Sequence, residues 1–194
     1  MDTQTWDALA ASMRNAYTAG LGEGAVPRPV IMPLVRGELV GLIWLRPVET
    51  GRDALTGIAQ LSNIAAAAGA DEVVLAWESR DVAALCEQPA DGPEPCLNML
   101  HATKDSHTLH RFPYAEQALA TSPGTGAEGP AGVEPRWLPA PEPQPGAELL
   151  PPVRAAVDYS FVPLDIDHPS PFGVTVVLME EDGYSVRLTE AFAF

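Results

Sequence analysis

The apolar stretch at residues 30–45 constrains the fold of this 194-residue chain more than any other segment. It consists of the runs VIMPLV and LVGLIWL, which are separated only by Arg36, Gly37 and Glu38. A short run that is apolar throughout is typical of a strand that is covered on both faces. These residues therefore predict a hairpin near the middle of a sheet, with the rest of the chain as its cover and extension.

The geometry of this hairpin depends on its turn and on one proline. A two-residue turn at residues 36–37 would place Leu34 opposite Leu39 and Met32 opposite Gly41. Pro33 has no N–H to donate to a neighbouring strand, and prolines in sheets are confined to edge strands and bulges. We therefore expect residues 30–35 to form an edge strand or to contain a bulge at Pro33.

Two amphipathic helices are predicted from apolar residues at helical spacing. The first begins with Thr3 or Thr5 as its N-cap and ends at residues 19–20. The second covers residues 51–69, where an alanine-rich end precedes Gly69, a residue suited to the left-handed position after a helix. Both helices are expected to pack on one face of the sheet.

Further strands and one more helix follow along the chain. The expected strands are residues 71–77, a hairpin of residues 96–103 and 108–114, and a C-terminal hairpin of residues 174–179 and 184–188. Asp182-Gly183 is a strong hairpin signal, because type I′ turns need positive φ at both central residues. A short helix is expected at residues 149–157.

The composition divides the chain into three parts. Residues 121–152 contain nine prolines and five glycines, which is typical of a linker or an extended arm. Residues 1–120 form the predicted core domain, and residues 153–194 form a C-terminal hairpin segment that could complete the core sheet. The predicted fold class is α+β: an antiparallel sheet built from hairpins, with two helices packed on it, a Pro-rich arm and a C-terminal hairpin.

The charge balance excludes some classes of partner and favours others. The chain has 26 acidic and 11 basic residues, a net charge of −15, and residues 1–70 contribute only −1 because they hold six acids and five bases. Such a chain repels the phosphates of nucleic acids and anionic membranes and attracts basic proteins. We therefore expect a protein partner or self-association, with no nucleic acid and no membrane. A further alternative is a decoy for a basic nucleic-acid-binding protein, which needs acids arranged like phosphates.

The N-terminus, the cysteines and the composition indicate a compartment and an origin. The first residues lack the basic and apolar regions of a signal peptide, and no apolar run is long enough for a membrane span. The two cysteines are then expected to be reduced thiols in a cytoplasm. Lys104 is the only lysine, and alanine, glycine and proline are abundant, which indicates a high-GC genome such as that of an actinobacterium or its phage.

Three of the four histidines lie in one predicted hairpin: His101, His107 and His110. The first and third should point to one face and His107 to the other, because side chains alternate along a strand. Two cross-strand histidines with Cys96 or Asp105 nearby are residue types that bind zinc. The spacing matches no zinc signature, so half-exposed polar residues on a hairpin are the alternative.

Other reactive side chains are candidates for catalysis. Cys86 is a candidate nucleophile, which would need a histidine in reach and a lowered pKa. His107 with Asp105 is a candidate acid–base pair, and Glu78 with Asp81 is a carboxylate pair of the kind that glycosidases use. The structural alternatives are a buried thiol, a polar turn and solvated acids.

No cofactor is predicted. Residues 124–129 match the pattern G-x-G-x-x-G. The dinucleotide motif requires a strand before these glycines and a helix after them, and prolines on both sides exclude that context.

Aromatic and apolar residues in the C-terminal part are candidate interaction anchors: Trp137, Leu138, Phe192 and Phe194. Extended arms with such anchors clamp a neighbouring chain or their own domain. The leading prediction is a soluble protein-interaction or structural module without catalytic activity, acting in a homo-oligomer or a partner complex. The alternative is a metal-dependent or histidine-based hydrolase centred on the hairpin of residues 96–114.

Overall fold

The computed structural model describes residues 1–89, 92, 94–118 and 132–193. Residues 124–129 and Phe194 lie outside the described residues. The helices are α1 (Thr3–Gly22), α2 (Arg52–Gln60), α3 (Ser62–Ala68), α4 (Ser79–Leu85), α5 (Pro151–Ser160) and α6 (Pro171–Glu181). The strands are β1 (Val30–Val35), β2 (Glu38–Leu39), β3 (Gly41–Trp44), β4 (Glu72–Glu78), β5 (Cys96–Thr103), β6 (His107–Ala118), β7 (Val133–Trp137), β8 (Gln144–Pro145) and β9 (Ser185–Leu188).

The strands form one antiparallel sheet in the order β7-β6-β5-β4-β1-β3-β9, with β2 paired to β1 and β8 to β6. Helices pack on this sheet, so the predicted α+β class is confirmed. The helices lie on both faces of the sheet, not on the single face that was expected. One face carries α1, and the other carries α2, α3, α4, α5 and α6.

The first hairpin has the predicted turn. Arg36 and Gly37 both have positive φ, 54° and 80°, as a type I′ turn requires. The turn sets Val35 opposite Glu38 and Leu34 opposite Leu39, as predicted. The predicted hairpin register next to the turn is therefore confirmed.

The register of this hairpin shifts by one residue beside Pro33. An extra residue, Val40, separates β2 from β3, so the predicted pairing of Met32 with Gly41 is wrong and the bulge is confirmed. Pro33 has no N–H for the carbonyl of Val40, which instead accepts hydrogen bonds from the backbone N–H and Oγ1 of Thr189 at 3.0 and 3.3 Å. The edge-strand alternative is wrong, because β1 lies between β3 and β4.

The two predicted helices form with corrected ends. The N-cap of α1 is Asp2, whose Oδ1 accepts the N–H of Thr5 at 2.8 Å, so neither predicted threonine caps it. This helix continues to Gly22, beyond its predicted end. The second helix is interrupted at Leu61, which separates α2 from α3, and it ends at Gly69 with the predicted left-handed φ of 66°.

The predicted C-terminal hairpin is wrong, because its first half forms α6 and only its second half forms a strand. Gly183 has φ of 94°, but it ends a helix instead of forming a hairpin turn. The N–H of Tyr184 bonds to the carbonyl of Met179, and the N–H of Gly183 bonds to that of Glu180, both at 3.0 Å. This pair of bonds is the Schellman motif of helix C-termini.

The C-terminal segment belongs to the same sheet and the same helical layer as the first half of the chain. β9 pairs with β3, which sets Val186 opposite Ile43. α5 packs on α2 and α3, and α6 packs on α3. Within the Pro-rich segment, β7 pairs with β6, with Trp137 opposite Tyr114.

Candidate functional site

Exposed apolar side chains concentrate in one short segment. Among the described residues, five of the six exposed large hydrophobic side chains fall between residues 159 and 178: Tyr159, Val162, Leu164, Val177 and Leu178. The sixth is Val26. Exposed apolar side chains mark an interaction site where they share one surface. Val177 and Leu178 line one groove, so α6 forms the candidate site.

α6 is apolar on its outer side as well as on its inner side. Pro171 begins the helix, a position where proline's fixed φ and missing N–H are tolerated. Thr175, Val176 and Met179 are buried, whereas Val177 and Leu178 are 48% and 52% exposed. A helix that is apolar all round is normally buried, and here one face is left to solvent.

A groove of about 400 Å³ runs along this exposed side. We call it the α6 groove, and it is lined by His168, Ser170, Gly173, Val174, Val177, Leu178 and Glu181. Its middle is apolar and its two ends are polar. At one end, Nδ1 of His168 accepts the N–H of Ser170 at 3.0 Å, so the neutral imidazole carries its proton on Nε2 and keeps a hydrogen-bond donor there.

The acidic residues of α6 lie at its C-terminal end, which is the end where negative charge is unfavourable. Glu180, Glu181 and Asp182 lie at the C-terminal end, and the last turn holds no basic residue. The first turn of α6 holds no acid, and within the described residues no side chain caps it. Acids stabilise helix N-termini and destabilise C-termini, so neither end of α6 has its charge complemented within its own helix.

A second groove of about 560 Å³ lies between α2 and α5. Leu55, Pro152 and the half-exposed ring of Tyr159 are among its lining residues, together with the amides of Gln60 and Asn63. This lining is apolar with hydrogen-bonding amides. It is suited to packing against another surface more than to acid–base chemistry.

The three hairpin histidines do not converge. His101 and His110 share one face of the sheet, as predicted, and the ring of Trp6 from α1 lies 6.2 and 4.1 Å from theirs. His107 points to the other face, where its Nε2 is 2.9 Å from the carbonyl oxygen of Ala147. Asp105 is exposed in the turn. The hydrogen bond of the His107 ring is to the backbone of Ala147 and not to this carboxylate.

Sequence reasoning missed the acidic partner of His101. Nε2 of His101 lies 2.6 Å from Oε2 of Glu72, which also contacts the amino group of Met1. Burial alone would raise the pKa of Glu72, but the hydrogen bonds from that amino group and from His101 lower it. The signal was the register of β4 and β5, which places Val74 opposite His101 and so brings Glu72 to the same face.

Neither cysteine has the surroundings of a nucleophile. Burial, with a smaller contribution from Glu78, raises the pKa of Cys96 to about 12. Burial and Asp81 raise the pKa of Cys86, which lies in the core between the sheet and the helices. Cys96 faces away from His101, with Sγ 3.7 Å from Oδ1 of Asn98.

The proposed zinc ligands do not assemble into a set. Cys96 and the pair His101 and His110 lie on opposite faces of β5 and β6, since side chains alternate along the strands. Among the described residues, no group of three or more His, Cys, Asp or Glu side chains is placed to hold a metal ion.

The carboxylate pair Glu78 and Asp81 lies at the start of α4. Glu78 is buried, and its oxygens accept the N–H groups of Asp81 at 2.6 Å and Cys96 at 3.1 Å. Both carboxylates line a cavity of about 270 Å³ with Tyr114. Burial and the charge of Glu78 raise the pKa of Asp81. Glu78 therefore caps α4, because its side chain accepts the N–H of Asp81 in the first turn of that helix.

The predicted interaction anchors make contacts within the chain. The ring of Trp137 lies 4.8 Å from the Arg14 guanidinium and 5.4 Å from the Tyr114 ring, and its Nε1 donates to Thr18 Oγ1 at 3.3 Å. The N–H of Leu138 bonds to the carbonyl of Pro113. The Phe192 ring lies 6.4 Å from that of Phe172.

Comparisons with known protein families, with characterised proteins and with solved structures give no match for this chain. Within the described ranges, none of the helices combines the length and the hydropathy needed to cross a bilayer.

Proposed function

We propose that this protein is an acidic, cytoplasmic protein-interaction module that binds through the α6 groove and acts in a homo-oligomer or a partner complex. One observation carries the proposal: Val177 and Leu178 expose an apolar surface on a helix whose opposite side is buried. Leaving this surface in water is unfavourable by roughly 25 cal/mol per Å² of apolar area. A bound protein surface removes that cost.

The charge of the chain limits the classes of partner. At −15, the protein repels nucleic acids and anionic membranes. The acids at the C-terminal end of α6 favour a partner that brings positive charge or hydrogen-bond donors to that end. The proposed partner is therefore a protein surface with an apolar centre and donors at its rim.

Site-specific photo-crosslinking in cells that express the full chain tests this proposal. A benzophenone amino acid replaces Leu178 in one variant and Val26 in the matched control, since both side chains are exposed and apolar. We expect a discrete crosslinked band from position 178 that is absent from position 26. No band at either position, or the same bands at both, would contradict the proposal.

The hydrolase alternative has one observation in its favour, the 2.6 Å contact between His101 and Glu72. A carboxylate that fixes the orientation of an imidazole is a common arrangement around general bases. A hydrolase of this kind would lose its activity in His101→Gln and retain it in His107→Gln, because these two rings lie on opposite faces. Assays of the purified protein on ester and phosphoester substrates would reveal it.

A further inference from the structure

We propose that the occupant of the α6 groove is α6 of a second copy of this chain, packed antiparallel about a twofold axis. This inference rests on the proposed function and specifies the partner. The helix offers the surface, the shape and the charge pattern that such a pair requires.

A twofold axis near residues 175–176 brings the outward side chains of the groove into register. Val174 then lies level with the partner's Val177, and Gly173 lies level with the partner's Leu178. The axes of two packed helices lie about 8–10 Å apart, depending on the side chains at the contact. The missing side chain at Gly173 leaves space for the leucine, and the twofold axis repeats this contact on the other side.

The charges at the two ends of the helix are complementary in the same arrangement. Glu181 lies level with the partner's Ser170, beside the uncapped N-terminus and the imidazole donor of His168. Ser170 and Glu181 are separated by roughly 16 Å along the helix, at about 1.5 Å per residue. Carboxylates that are unfavourable at their own C-terminus therefore meet the positive end of the partner helix.

Self-pairing uses the polar features of the groove better than an unrelated partner does. The donor end of α6 in one copy faces the carboxylate of Glu181 in the other copy, and the twofold axis repeats this contact at the opposite end. Two chains of charge −15 repel each other, and salt screens that repulsion. Salt also weakens the contacts at the helix ends, but these are two contacts against the repulsion of two chains of charge −15. Association of two copies should therefore strengthen with salt, whereas binding of a basic partner should weaken.

Sedimentation of the purified full chain tests the pairing. A single helix pair is a small interface, below about 1,200 Å² in total, and interfaces of that size are typical of weak complexes. We expect a monomer–dimer equilibrium with a dissociation constant in the micromolar range. Leu178→Glu should weaken it at least tenfold, and Val26→Glu, which adds the same charge elsewhere, should change it less than twofold.

Disulfide trapping tests the antiparallel orientation. Both natural thiols are buried, so new surface cysteines can be oxidised selectively. A mixture of Ser170→Cys and Glu181→Cys proteins should form the mixed dimer in preference to either homodimer. A preference for the two homodimers would overturn the antiparallel arrangement.

The outcomes separate this inference from the proposed function. A protein that stays monomeric at high concentration, or a Val26→Glu variant as impaired as Leu178→Glu, overturns the dimer. If crosslinking from position 178 then captures a different protein, the interaction module stands and the self-pairing is rejected. If position 178 captures nothing, both are rejected.

Discussion

Tyr184 connects the last strand to the helical layer through one hydroxyl group. Its OH donates to the carbonyl of Gly57 at 2.9 Å. In a continuous helix the N–H of Leu61 would bond to this carbonyl, but at the junction of α2 and α3 it bonds to the carbonyl of Ile58. Tyr184→Phe leaves that buried carbonyl without a partner, and we expect a loss of about 1–2 kcal/mol in the free energy of unfolding. Urea denaturation measures it. Tyr159→Phe removes an exposed hydroxyl and should change nothing, and an equal loss in both variants would contradict this role.

Asp81 is expected to reduce stability at neutral pH. Burial and the nearby Glu78 raise its pKa in the folded state above the ordinary value of 3.8. The penalty is therefore absent below the unfolded pKa and grows as pH rises through the folded pKa. Asp81→Asn should raise the urea midpoint at pH 7, and this gain should vanish as pH falls below about 4. Asp158→Asn, at an exposed position with the same charge change, should show no such gain.

The two thiols should be unreactive in the folded protein. Cys86 and Cys96 are buried, and burial raises the pKa of both, to about 12 for Cys96. Only the thiolate reacts with disulfide reagents, so labelling at pH 8 should proceed no faster than unfolding. Both thiols should react without delay when urea has unfolded the protein. Rapid labelling of one thiol in the native protein would instead support Cys86 as a nucleophile.

At the scale of single elements, the contact between β3 and β9 depends on Gly41. A Cβ at this position would lie 2.5 Å from the backbone oxygen of Arg187, which cannot move independently of β9. Gly41→Ala should separate the two strands and cost about 1–3 kcal/mol, as overpacked sites do. Gly22→Ala is the matched control, because nothing lies within 4 Å of its Cβ. Urea denaturation measures the free energy of unfolding of both variants. Equal stabilities would contradict the close approach of β9.

The elements that the sequence predicted correctly are those in which local and long-range signals agree. The alanine-rich end of the helix before Gly69 and the two-residue turn at residues 36–37 are examples. α6 was misassigned for a physical reason: its β-branched residues favour strands, and glycine at positive φ serves hairpin turns and helix C-caps alike. Burial of Tyr184 and packing on α3 select the helix, and neither is visible in the local sequence.

In the candidate site, too, local sequence signals predicted some features, and features that depend on long-range packing were missed. The shared face of His101 and His110 followed from strand alternation, which is a local property. Glu72 comes to His101 only through the register of two strands, and the α6 groove appears only once α6 is known to be a helix. One signal for the groove was present, since residues 171–179 are too apolar for a helix half in solvent.

At the scale of the whole molecule, the acids and the packing lie in different places. The central strands are buried on both sides, by α1 on one face and by the other five helices on the opposite face. The acids lie mainly downstream of residue 70, and those at residues 180–182 adjoin the α6 groove. The same helix therefore supplies core residues and the proposed interaction surface.

The core joins the two ends of the chain, so the first 150 residues should not fold alone. Val153 and Val157 from α5 and Val176 and Met179 from α6 are buried in the same cluster as Ile31. Burying four such side chains contributes about 6–12 kcal/mol, comparable to the whole stability of a domain, about 5–15 kcal/mol. A fragment of residues 1–150 should therefore lack a cooperative urea transition, and co-expression with residues 151–194 should restore it. A cooperative transition in the fragment alone would mean that the predicted core domain is independent and that α5, α6 and β9 only cover it.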